Sequence, residues 1–217
     1  MSDKIEKILS AFKSLCVSFR YCKDIPCWKF PVIVRWNCRV KGRGKIMFGD
    51  RGGRLIIGFG NVGIYDKRFS PCILELNGRI NIDGKVSFGH GARISVGPDA
   101  VLTIGDNTIN TAEARIICFD SITIGENVVL GWETVIMDTD FHSVINLIDR
   151  RISICHSPIV IGDSVWTGQK AMILKGVHLG KGSIVASCAV VTKSFNENNV
   201  LIAGNPAVVK RNNVTRY

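Results

Sequence analysis

No run of apolar residues in this sequence approaches the roughly 20 needed to span a bilayer as a helix. The first 23 residues interleave Lys4, Lys7, Lys13 and Arg20 with their apolar positions. They lack the unbroken apolar stretch of a secretory signal, so the chain is expected in the cytoplasm. Paired cysteine motifs are missing as well. The eight cysteines, at 16, 22, 27, 38, 72, 118, 155 and 188, form no C-x-x-C. Their scatter fits small apolar side chains in a reducing compartment. Cys155 beside His156 supplies no ligand set for a metal. Acidic residues are in short supply: 18 Asp and Glu stand against 28 Lys and Arg, a formal net charge of +10. Such an excess calls for an anionic partner, be it nucleic acid, anionic lipid or a phosphorylated small molecule. Neither a stacking-aromatic pattern nor a recognition helix accompanies the charge, which argues against nucleic acid.

What is present is a globular composition, 46% hydrophobic and 21% charged, in a chain long enough for one core with short appendages. The decisive signal is a six-residue period. Ile161, Thr167, Ile173, Leu179, Val185 and Val191 recur at one place of the repeat, and Val165, Ala171, Val177, Ser183 and Ala189 follow four residues behind. Gly162, Gly168 and Gly180 come directly after the leading residue. The same phrase appears upstream at Ile82, Phe88 and Ile94, at Val96 and Leu102, and at Ile124, Leu130 and Ile136, with two-residue slips between blocks that read as lengthened corners. Six residues suit one short strand and one bend, not a hairpin or a helix. Three such sides close a triangle, so about 18 residues make a coil and coils stack by parallel pairing. The leading residue should point inward, the small one lets three walls converge, and glycine supplies freedom at the bends. Arg35, Arg39, Lys41, Arg43, Lys45, Arg51 and Arg54 alternate with Val40, Ile46, Phe48 and Leu55, and read as early coils with a solvated basic face.

At the start, Ile5, Ile8, Leu9, Phe12, Leu15, Cys16 and Phe19 fall on one face of a helix. Two accounts of it stand: a cap over the open apolar end of the stack, or a basic amphipathic helix resting on a membrane. Pro26 and Pro31 mark the passage into strand. The predicted organisation is therefore a helix over 1–25, stacked coils over 26–195 and a closing segment over 196–217. The coils are interrupted over 137–158 by a long loop, DTDFHSVINLIDRRISICHSP after Met137, and long loops within a solenoid usually carry function.

A D-T-D-F-H loop followed by I-G-D-S-V-W-T-G, then VVTKSF and NVLIAGNPAVVKR, resembles the hexapeptide-repeat acyltransferases, and within them the sugar O-acetyltransferases of capsule, lipopolysaccharide and exopolysaccharide synthesis. The similarity runs from about Pro31 to Lys210. It implies an all-β fold, a left-handed parallel β-helix, a known exception to right-handed crossovers. It also implies acetyl-CoA as acyl donor, no metal, and a homotrimer with each cleft completed by two subunits.

A sugar hydroxyl is a poor nucleophile while it keeps its proton, and imidazole is suited to remove it at neutral pH. His142 is assigned that role, by chemistry and by resemblance. Asp140 or Asp138 could fix its tautomer, or a backbone carbonyl could. His90, His156 and His178 read as bystanders. A zinc site of the kind found in a carbonic anhydrase of this fold would need a histidine five residues beyond His142 or His178, where Leu147 and Ser183 stand. The resemblance assigns Trp166, Gly168, Lys175, Ala186, Thr192, Lys193, Pro206, Lys210 and Arg211 to coenzyme A, the cationic ones suiting its phosphates. The alternative for Trp166 is an exposed strand aromatic. Arg150, Arg151 and Trp132 are candidates for the acceptor. Thr167, where the family has an aliphatic, and Ala186–Ala189, where it has G-A-G-S, depart from the pattern. The expected function is acetyl transfer to a sugar hydroxyl of a surface polysaccharide or its precursor. Rivals are acetylation of a small acceptor (serine or a nucleotide-linked amino sugar) and a non-catalytic assembly module, which would need no base in the loop.

Overall fold

Each side of the repeat becomes a short strand, and each strand pairs in parallel with the strand one turn of chain later. The structure, a computed structural model, describes residues 3–217. Val160 pairs with His178, Trp166 with Ile184 and Met172 with Val190, a step of 18 residues in the last full turns. Val101 pairs with Ser121, Ile109 with Val129 and Arg115 with Val135, a step of 20. The slips in the sequence are thus longer corners. Three walls result. The first stacks Val101–Ile104, Ser121–Ile124, Ile159–Ile161 and His178–Leu179; the second Thr108–Ala112, Val129–Leu130, Trp166–Thr167, Ile184–Val185 and Leu201–Gly204. The third runs from Arg39–Lys41 through Ile73–Leu76, Arg93–Val96, Arg115–Cys118, Val135–Met137 and Met172–Leu174 to Val190–Val191. Below them the long strands Lys45–Phe59 and Arg79–His90 bend from the first wall into the second.

The inward places of the ladder are closed to solvent: Ile161, Thr167, Ile173, Leu179, Val185 and Val191 are each at most 1% exposed, as are Val165, Ala171, Val177, Ser183 and Ala189. Burying each large aliphatic contributes about 1.5–3 kcal/mol. Thr167 is admitted because its hydroxyl has partners: Thr134 Oγ1 lies at 2.8 Å, and Thr167 Oγ1 accepts the Gly131 N–H at 3.1 Å. The glycines after the leading residues serve a different end from the one expected. A Cβ on Gly162 would sit 2.8 Å from the Lys181 nitrogen, and one on Gly180 2.3 Å from the Glu197 carbonyl oxygen. They permit close stacking of successive coils, while the left-handed backbone falls two residues later, at Ser164, Lys170 and Gly182.

The N-terminal helix α1 (Asp3–Tyr21) packs on the strand Val32–Val34. That strand pairs with Leu55–Ile57 on one side, and its other edge presents backbone groups that need partners. Serines spaced four apart supply them. Ser10 Oγ accepts the Trp36 N–H at 3.0 Å, Ser14 Oγ the Val34 N–H at 2.9 Å and Ser18 Oγ the Val32 N–H at 3.3 Å, while the Ser18 hydroxyl donates to the Val32 carbonyl. The buried face is therefore Ser10, Ser14, Val17, Ser18 and Tyr21. The apolar face expected to be buried points outward: Ile8 is 68% exposed, Phe12 69% and Phe19 78%. An edge strand's demand for hydrogen bonds outweighs the helix's hydrophobic pattern here. Arg35, expected on a solvated face, is buried too, pairing with Glu6 at 2.7 Å and donating to the Lys67 carbonyl. At the other end Ala207–Arg211 folds back antiparallel on Leu201–Gly204. Among the described residues no helix is long and apolar enough to cross a membrane.

Ile173→Asp should leave an unpaired charge between Ile136 and Val191 and cost several kcal/mol; a parental melting curve would show that the register is wrong. Ser14→Val, though more hydrophobic, should destabilise by about 1–3 kcal/mol by stranding the edge of Val34, whereas Phe12→Ser should cost less. The reverse order in denaturant titration would overturn the serine account.

Candidate active site

After Met137 the chain leaves the third wall and rejoins the first at Ile159. Between them it forms an antiparallel arm, with Thr139 bridged to His156 and Ile145 to Ile152. Its root is tied down by charge. Asp138 is fully buried, and its carboxylate accepts the Phe119 N–H at 2.7 Å and the Asp120 N–H at 2.9 Å. Burial pushes its carboxyl pKa up, against the pull of those two amides. Asp140 pairs with Lys175 at 2.5 Å, and the same ammonium donates to the Ile154 carbonyl at 2.7 Å. The Phe141 ring meets Phe119 edge-on at 4.9 Å. Beyond this root the arm is apolar and open: Val144 is 66% exposed, Leu147 77%, Ile148 94% and Ile154 73%. Such a row of bare aliphatics marks an interaction surface.

His142 stands exposed on this arm, directly after Phe141, whose φ of 59° turns the chain. Neither aspartate expected to orient it does so within the chain. Asp138 is committed to the amides of Phe119 and Asp120, and Asp140 to Lys175. Among the described residues it is His156, read as a bystander, whose imidazole meets a carboxylate, its Nδ1 lying 2.9 Å from Asp120 Oδ2 at the arm's root. Lys175, assigned to the coenzyme, holds the arm through Asp140 and the Ile154 carbonyl. Arg150 and Arg151 lie at the exposed tip, with Arg151 3.5 Å from Asp149.

The other coenzyme candidates divide between edges of the prism. Trp166 faces outward on the second wall, 38% exposed, between Val129 and Ile184. Gly168 and Ala186 follow it on successive coils, and a Cβ on Gly168 would meet the Ser187 nitrogen at 2.5 Å. Pro206 is at the turn between the last two strands, after a cis bond from Asn205, and Lys210 and Arg211 are exposed on the returning strand. Thr192 and Lys193 lie past the end of the third wall, on the arm's edge, and Lys193 Nζ sits 5.6 Å from the centre of the Phe195 ring. One chain thus brings the arm together with Lys175, Thr192 and Lys193, and sets Trp166, Gly168, Ala186 and Pro206 on another wall.

Trp132 belongs to neither group. It lies where the second wall turns into the third, with Tyr65 edge-on at 6.2 Å. Tyr65 comes from a second inserted loop, over 60–72, which lies outside the six-residue ladder. Its hydroxyl donates to Glu133 at 2.6 Å, and Gln169 reaches the same carboxylate at 3.3 Å. The bond to Glu133 pushes the Tyr65 pKa up to about 12 and holds the Glu133 carboxyl below its usual range. Ser70 contacts Glu113, which Arg93 approaches at 3.5 Å. Beneath them His90 is buried, both ring nitrogens without a partner, and burial lowers its pKa. The signal for this loop is a step of 34 residues between the paired Val40 and Leu74 where a coil needs about 20.

The family described as bacterial transferase hexapeptide (six repeats) matches residues 158–193. WbbJ of Escherichia coli (strain K12), named as a lipopolysaccharide biosynthesis O-acetyl transferase, is 30% identical over 152 residues, which cover 66% of this chain and 77% of WbbJ. A 24.8 kDa protein in the cps region of Klebsiella pneumoniae is 28% identical over 220 residues, 97% of this chain and 96% of that one. The crystal structure of NeuO, a polySia-specific acetyltransferase, shares the fold with a TM-score of 0.57 at 19% identity, over 86% of this chain and 89% of NeuO.

If Asp138 fastens the arm, Asp138→Ala should speed hydrogen exchange at the Phe119 and Asp120 amides by about tenfold to a hundredfold. Unchanged exchange at both would remove it from that role.

Proposed function

We propose that this chain, which belongs to the bacterial hexapeptide-repeat acetyltransferases, transfers an acetyl group from acetyl-CoA to a hydroxyl of a surface-polysaccharide sugar or its precursor, with His142 as general base. The observation that carries the reading is the arm. A regular solenoid is broken over 138–157 to build a braced hairpin, and its root is fixed by a buried carboxylate and a lysine bridge while His142 is left open to solvent. A bystander would not need that bracing. Names of relatives in lipopolysaccharide and polysialic acid chemistry support the sugar acceptor.

In the reaction a ring nitrogen of His142 takes the proton as the sugar oxygen attacks the thioester carbonyl carbon. A backbone N–H stabilises the tetrahedral oxyanion. The C–S bond then breaks, the imidazolium returns the proton to the leaving sulfur, and ester and free coenzyme A depart. Acetyl-CoA is a substrate here, held by Trp166, Gly168, Ala186 and Pro206 along the second wall, with Thr192, Lys193, Lys210 and Arg211 meeting its hydroxyls and phosphates.

The coils wind left-handed in this reading, and three chains associate. Two observations support the trimer. The arm carries an uncovered apolar row, and its histidine and the Trp166 wall of the same chain lie on different edges. An arm laid against the second wall of a neighbour covers the first and unites the second. The exposed apolar row of α1, with Lys4, Lys7 and Lys13 on the same helix, supports contact with an anionic membrane on its cytoplasmic side.

His142→Ala should fold and bind acetyl-CoA, yet lose about 10²–10⁴ in kcat, with little change in KM. His156→Ala should cost stability of the arm more than turnover; a larger kcat loss there than at His142 would transfer the base to the Asp120-paired imidazole. Lys193→Ala and Arg211→Ala should each weaken acetyl-CoA binding by about 1–3 kcal/mol. Calorimetry with unchanged affinity for both would take them out of the site.

A further inference from the structure

A second group of charges lies on the same edge of the prism as the arm, several coils nearer the N-terminus. There the end of α1 and three successive corners enclose a cleft of about 820 Å³. Arg20 and Lys23 line it from the helix end, and Arg43, Lys45 and Arg79 from the coils. Asp24 and Asp99 are the carboxylates that line it. None of the five cations takes part in the ion pairs formed among the described residues. Clustered like charges repel one another and raise the local affinity for an anion.

At two of the corners that line the cleft, the coils stack too closely for any side chain. A Cβ on Gly44 would stand 2.2 Å from the Gly78 carbonyl oxygen, and one on Gly78 2.3 Å from that of Ala100. Glycine is therefore required at both corners, and the cationic side chains of Arg43, Lys45 and Arg79 flank this stacked backbone along the cleft. The helix end is held in place, because Arg20 Nη2 and the Tyr21 hydroxyl both donate to the Gly42 carbonyl, at 2.9 and 3.1 Å. The volume lies within the 300–1,000 Å³ typical of small-molecule sites. Three guanidiniums and two ammoniums far exceed what one carboxylate needs, and match the clustered oxygens of phosphate groups.

Position gives the cleft its meaning. The corners of this edge are joined coil to coil, Arg79 N–H to the Ala100 carbonyl, Val101 N–H to that of Asp120, and Phe119 N–H to the Asp138 carboxylate. Three steps of about 4.8 Å separate Gly78 from the root of the arm, roughly 14 Å in all. That is the reach of a short oligosaccharide.

We propose that the cleft binds the diphosphate through which the acceptor glycan is attached to its carrier, so that the sugar end extends along the edge toward His142. The inference rests on the glycan-acetyltransferase reading above. The shared chemistry is a diphosphate ester, whether its carrier is a nucleotide or a membrane lipid, and the exposed apolar face of α1 beside the cleft favours the lipid.

The test is calorimetric titration of the full chain with inorganic pyrophosphate. The parent should bind, and Lys45→Ala/Arg79→Ala should bind about tenfold to a hundredfold more weakly, with unchanged melting and unchanged affinity for acetyl-CoA. Two further probes identify the carrier: UDP-glucose in solution, and phosphatidylcholine vesicles containing a polyprenyl diphosphate. Loss of binding to either in the double variant supports the site and names its source. Pyrophosphate that does not bind the parent, or binds the double variant equally well, overturns the proposal. An acidic glycan without phosphate that competes for the site as well as pyrophosphate does likewise. Because none of these measurements uses acetyl transfer, such a failure leaves the enzyme reading standing; an inactive enzyme with an intact cleft would fail that reading alone.

Discussion

Parallel pairing between successive coils is the constraint on which everything else in this molecule depends. Each wall strand gives its N–H and carbonyl groups to the coils on either side, so a coil cannot shift register without breaking three walls at once. Two inward residues per side follow, with no room for more. That is why Val165, Ala171 and Ala189 stay small at the places where walls converge. Polar side chains enter the interior where a corner leaves a group to satisfy. Thr134 and Thr167 meet each other, and Asn110 donates to the carbonyls of Ala112, Leu130 and Gly131. The rigidity gained is what a catalytic constellation needs, since it fixes anything attached to the walls to within a fraction of a coil.

The same constraint explains the ends and the insertions. A stack of strands must stop somewhere, and its first edge is closed by a serine-striped helix and its last by an antiparallel return strand. Insertions are tolerated at corners, where pairing is already interrupted. Both large ones, over 60–72 and 138–157, sit there, and each is pinned by carboxylates to the coils beneath it: Glu133 holds Tyr65, Asp138 holds the arm. These devices leave two apolar rows exposed, that of α1 and that of the arm.

Much of the fold was legible because the period is a direct image of burial. Every leading residue named from Ile82 to Val191 lies inside, and the two-residue slips became the longer corners. Less legible were features set by hydrogen bonding rather than hydrophobicity. Ser10, Ser14 and Ser18 look unremarkable beside Phe12 and Phe19, yet the edge strand Val32–Val34 takes the serines. The loop around His142 was found by its break in the repeat, but the partners of Asp138 and Asp140 were not, since they lie on other coils: Phe119, Asp120 and Lys175. Sequence proximity to a histidine is a poor guide where the chain turns at every sixth residue. Tyr65 and Glu133, 68 residues apart, are hidden in the sequence for the same reason.

The central claim is that this scaffold exists to move an acetyl group from a thioester to a sugar oxygen. Its most direct test is the release of coenzyme A from acetyl-CoA in the presence of a panel of surface glycans and their carrier-linked repeats. The account predicts glycan-dependent release matched by one O-acetyl ester formed for each thiol freed. Release that no glycan accelerates above hydrolysis, from folded protein that binds acetyl-CoA, would contradict it.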